Sequence, residues 1–133
     1  MRKIIIGMML AASFSAVADE VITTNSAQLR LVDAMENFLL LTNNIKPEFR
    51  SMSYTVAFDT VNKLTTPLTD AIVKGVNDGY SCEVITASFA TNNFAPMIRG
   101  KVENAPAATK ESGEKLISAF TVYTFSSCVN LTK

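Results

Sequence analysis

The apolar positions of the chain fall into segments with a helical period, separated by clear breaks. From Ser26 to about Asn43, Leu29, Val32, Met35 and Leu39 recur three or four residues apart, with Leu31 and Phe38 widening the face. That spacing predicts an amphipathic helix capped by Ser26. Asn43-Asn44 ends it, and Pro47 suits the first turn of the next helix, where its missing N–H is not needed. The second segment supports two patterns. Phe49, Met52, Val56 and Leu64, with Val61 beside them, fit a helical face, whereas Met52, Tyr54, Val56 and Phe58 also alternate as a strand would. The longer 3.6-residue pattern favours helix. Pro67 is expected to break or kink it, leaving a further short helix from Pro67 to Val76 with Leu68, Ala71 and Ile72 inward.

Asn77-Asp78-Gly79 is a turn signal. Beyond it Cys82, Ile85 and Phe89 resume helical spacing, Asn92-Asn93 and Pro96 interrupt it, and Met97, Ile98 and Val102 carry it on. After the break at Asn104-Ala105-Pro106, residues 109–127 place Leu116, Phe120 and Tyr123 on one face with Ile117 adjacent, while Lys110, Glu111, Glu114 and Lys115 stay outside. Gly113 weakens this helix, and residues 121–125 are rich in β-formers. The fold expected is mainly α: a small four-segment, up-and-down helical bundle with Pro-kinked helices and one disulfide. The alternative is α+β, with strands near 52–58 and 119–125.

The opening of the chain has a different pattern. Met1, Arg2 and Lys3 precede an uncharged run from Ile4 to Phe14, and Ala16-Val17-Ala18 stands before Asp19-Glu20. A positive start, an apolar stretch and a small-residue site, in that order, read as a signal peptide cleaved after Ala18. The apolar run is shorter than the roughly 20 residues a bilayer span requires. Residues 1–18 are therefore expected to be removed, and 19–133 to form a single domain in the periplasm or secreted. No transmembrane segment is expected after cleavage.

Removing 18 of 133 residues leaves 115, and takes Arg2 and Lys3, so ten basic residues face twelve acidic ones, a formal charge of −2. No basic stripe is present to engage phosphates, which argues against nucleic acid as a partner. Cys82 and Cys128 are the two cysteines. In an oxidising compartment they read as one disulfide closing a 46-residue separation, worth roughly 3–4 kcal/mol. They fall at the start of the third segment and the end of the fourth, ends that an antiparallel pair brings together.

The chain holds no histidine, which removes the Ser-His-Asp and Cys-His arrangements and the usual zinc ligand sets. Five glycines form no phosphate-cradling loop. No cofactor is expected. Asp33 and Glu36, three apart on the first helix, are the pair most suited to acid–base work on a glycoside; Glu48, Asp59, Asp70 and Glu83 are scattered. Such carboxylates far more often form a solvated face. Met35, Met52 and Met97 read as core fillers. Thr and Asn cluster near residues 23–25, 42–44, 65–66 and 91–93, which suits loops and segment ends.

In size, leader and cysteine count the chain resembles small periplasmic immunity, inhibitor and protection proteins, with no diagnostic motif and no functional residue to carry over. The resemblance implies a non-catalytic protein that binds another protein in the periplasm or envelope. Two other functions remain as expectations: a periplasmic stress or chaperone-like protein, and a carboxylate-dependent hydrolase of cell-wall glycan.

Overall fold

The computed structural model describes residues 24–43 and 50–132, with side chains from residues 25 and 54 onward in these two stretches. The expected signal peptide, Pro47, Glu48 and Phe49 lie outside the described residues, as does the side chain of Met52. Among the described residues, four helical rods make up the bundle: α1 (Thr24–Asn43), α2 (Arg50–Asn77), a composite third rod, and α5 (Ala107–Leu131). The third rod runs α3 (Cys82–Thr86), a π-helical segment (Ala87–Phe94) and α4 (Ala95–Lys101) without leaving helical geometry. No strand occurs among the described residues, so 52–58 and 119–125 are helical and the α+β alternative is overturned.

Tertiary bonds show how the rods alternate in direction. Asn37 near the end of α1 donates to Ser112 Oγ near the start of α5 at 2.8 Å. Arg99 at the end of the third rod grips Glu114 with two bonds of 2.8 and 2.9 Å. At the opposite end Cys82 and Cys128 form the expected disulfide, with Cα atoms 5.6 Å apart. The core is built from Leu31, Val32, Met35 and Phe38 of α1; Ala57, Val61, Leu68 and Ile72 of α2; Ile85, Phe94, Ile98 and Val102 of the third rod; and Leu116, Phe120 and Tyr123 of α5.

Several details depart from the periodic reading. α1 already includes Thr24, so Ser26 lies inside the helix rather than capping it. Leu29 is exposed while Leu31 is wholly buried, and Val56 is exposed while Ala57 and Val61 face the core. In both helices a wholly buried alanine, Ala27 or Ala57, lies on the inward face where the larger Leu29 or Val56 was expected. Pro67 does not end α2, which continues unbroken through it. Thr60, Thr66 and Thr69 fold their hydroxyls back onto the carbonyls of Val56, Asn62 and Thr65, at 2.7–2.9 Å. In α5, Thr121 and Thr124 do the same to Ile117 and Phe120, both at 2.8 Å. These local bonds satisfy the hydroxyls of β-prone residues inside helices. They also place Thr65 and Thr66 in mid-helix, not in the loop that composition suggested.

The π segment answers the interruption expected at Asn92-Asn93 and Pro96. Ala95 N–H reaches back five residues to Ala90 C=O. Pro96, just beyond, has no N–H to give and its ring presses on the carbonyl four residues earlier, which the wider π turn accommodates. In a continuous α-helix Phe94, five residues after Phe89, would sit about 140° away from it. The i→i+5 geometry realigns the stripe Ile85–Phe89 with the stripe Phe94–Ile98–Val102.

The α2–α3 connection is tight. Gly79 adopts φ +91°, its N–H bonds to Val76 C=O and the N–H of Tyr80 to Gly75 C=O, both at 3.0 Å. This is the helix-terminating motif that favours glycine. Ser81 then caps α3 by accepting from Val84 N–H at 3.2 Å. A Cβ at Gly79 would meet nothing within 4 Å, so Gly79→Ala carries only backbone strain. It is expected to lower stability by about 1–2 kcal/mol in denaturant unfolding, with helical content unchanged. Gly113, by contrast, serves a close approach: an added Cβ would lie 3.2 Å from Ile98 and 3.5 Å from Phe38. The residue that weakens α5 as a helix is the one that lets three rods meet.

Candidate binding groove

The four rods are not evenly packed. The seam between α2 and the third rod is open, and three hollows lie along it. At the end near Lys101, a hollow of about 470 Å³ is lined by Phe38, Leu64, Phe94, Met97 and Lys101, among others. A middle hollow of about 510 Å³ lies between Pro67, Leu68 and Ala71 on one wall and Phe89, Asn93 and Met97 on the other. A third, of about 470 Å³, lies near the α2–α3 turn between Lys74, Asp78, Tyr80 and Val84. The first two share Leu64, Phe94 and Met97, and the last two share Ala71 and Phe89. The hollows therefore follow one another along a single apolar groove.

Sequence features explain why the groove sits here. Pro67 interrupts the hydrogen-bond ladder of α2 where it faces the π segment, so the irregular parts of two rods oppose each other. Phe94 and Phe120 form the floor, stacked with ring centroids 4.1 Å apart. Met97 stands half-exposed at the waist between the first two hollows. Lys74 and Asp78, at the turn end, pair with each other at 3.0 Å.

The carboxylates considered for catalysis are not gathered. Asp33 is exposed and Glu36 partly so, and neither lines any of the three hollows. Asp59 and Asp70 are exposed and lie eleven residues apart on α2, and Glu83 is half-buried on α3. Among the described residues Asp78 is the one carboxylate lining the groove, and Lys74 pairs with it. Glu114 has its carboxyl held below the ordinary range by its hydrogen bonds to Arg99, against a smaller opposing effect of burial. It is a surface clasp between two rods. No group of three or more His, Cys, Asp or Glu that could hold a metal occurs among the described residues. No helix among them is long and apolar enough to cross a membrane. Of the methionines, Met35 fills core as expected, whereas Met97 faces the groove.

The sequence pointed to none of the groove as a site. Its lining reads as ordinary core periodicity, and only Pro67, Asn92-Asn93 and Pro96, taken as breaks, marked where it would open. The chain matches no protein-family model, no curated protein and no solved structure.

Proposed function

We propose that this protein is a non-catalytic binding protein that acts in the periplasm or after secretion, and that its partner is another protein, as for immunity, inhibitor or protection proteins. The observation that carries the reading is the apolar surface at the α2–α3 turn. Tyr80 and Val84 stand 59% and 46% exposed beside a hollow floored by Ile85 and Phe89. Tyr is enriched at the centres of protein interfaces because it buries a large area at little cost in side-chain entropy. The surface is also held rigid. Gly79 and Ser81 fix the turn, and the disulfide ties the start of α3 to α5. A preordered surface loses less entropy on binding. The Lys74–Asp78 pair supplies a polar rim. The leader-like opening of the chain and its disulfide both suit an oxidising compartment.

The test is affinity capture with the oxidised protein, from lysates of the host and its competitors, beside the variants Tyr80→Lys and Val84→Glu. One stoichiometric partner, bound by the parent protein and weakened about thirtyfold or more by Tyr80→Lys, supports the reading. A partner that both variants retain places binding elsewhere. A broad spectrum of proteins that grows at acid pH replaces the reading with a chaperone-like one, and turnover of purified peptidoglycan replaces it with a hydrolase.

A further inference from the structure

We propose that the two hollows farther from the α2–α3 turn form one elongated site for a single-chain amphipathic anion of the fatty-acid type, with the tail along Leu64, Phe94 and Met97 and the carboxylate at Lys101. The two hollows join at Leu64, Phe94 and Met97, so an extended chain passes from one to the other. Each has a volume within the roughly 300–1,000 Å³ typical of small-ligand sites. Met97 is half-exposed and unbranched, a side chain that reshapes readily around a hydrocarbon.

The polar side chains of the lining favour a tail over an extended peptide. Of the four uncharged polar side chains in the described lining, three already donate, Thr42 to Phe38 C=O at 2.8 Å, Thr60 to Val56 C=O at 2.7 Å, and Asn93 to Ser88 C=O at 2.5 Å; Asn43 is the fourth. An extended peptide would bring backbone N–H and C=O groups into this groove and find few partners. A hydrocarbon tail brings none to satisfy. The head group is set by charge. Among the described residues, Lys101 is the single charged one lining either hollow. Lys74 and Arg99 have carboxylate partners, and Lys101 has none among the described residues. A ligand carboxylate completes that pair at the mouth, where it stays in reach of water.

Lys101 lies roughly 25 Å along the third rod from Val84, at about 1.5 Å per residue, so the head-group contact can fail while the Tyr80–Val84 surface stands, and the reverse. The experiment is displacement of a dansyl-labelled fatty acid by laurate, dodecylamine and dodecanol, which share one chain length, each kept monomeric. Laurate is expected to displace the probe most strongly. Lys101→Glu, a change on the surface, is expected to weaken laurate about tenfold and to favour the amine, since an exposed ion pair is lost and a repulsion replaces it. Ala71→Phe, which fills the middle hollow, should weaken all three compounds while far-ultraviolet circular dichroism shows the helices intact. Equal binding of the three head groups to the parent protein overturns the proposal. So does the absence of displacement, or laurate binding that neither variant alters.

Discussion

Replacing Cys82 and Cys128 together by alanine is expected to lower the unfolding free energy by about 3–4 kcal/mol, the largest single loss short of deleting core volume. The bond closes a separation of 46 residues and joins the start of α3 to the end of α5. Without it the unfolded chain regains the freedom of that loop, while the folded state keeps its helices. Cys128 is wholly buried, so alanine also leaves a small void. Chemical denaturation of the parent and double variant, both free of reductant, measures the difference directly. A loss under about 1 kcal/mol would show that packing alone holds the two rod ends together, and would separate this case from the usual 2–5 kcal/mol for small secreted domains.

Phe120→Ala is expected to cost about 3–5 kcal/mol. The ring is 3% exposed, stacks on Phe94 and floors the groove, so its loss removes both apolar burial and a specific aromatic contact. A cycle with Phe94→Leu separates the two terms. The stacked pair should show a coupling of about 0.5–1.5 kcal/mol beyond the separate effects. Additive losses would assign the whole effect to volume and none to ring geometry. Because Phe120 faces an open hollow on one side, a loss well below the range would mean that the neighbours close over the gap.

The helical class, the four segments and the disulfide were legible because they rest on period, breaks and the count and placement of two cysteines, each of which is local or compositional. The turn at residues 77–79 was legible for the same reason: only one backbone geometry there needs a glycine. The continuity of α2 through Pro67 was not, since what Pro67 removes is one rung, and the packing of Leu68 and Ile72 keeps the helix together. Leu29 and Val56 were placed on the wrong side because hydrophobicity counts a residue's character and not its angle, and small residues took the inner position. The groove was illegible for a further reason. Phe89, Phe94 and Met97 read as core at any period, and only the spacing between two rods decides that they face a gap.

Across that gap, Pro67 omits a rung from one wall while the other wall carries i→i+5 rungs in place of i→i+4. The remaining seams are clamped: Asn37 to Ser112, Gln28 to Asn62, Arg99 to Glu114, and the disulfide. In mechanical terms this makes the seam between α2 and the third rod the place where the bundle is least braced by the bonds named above. A ligand that enters between α2 and the third rod meets the two walls whose hydrogen-bond ladders are irregular, while α1 and α5 are tied to their neighbours.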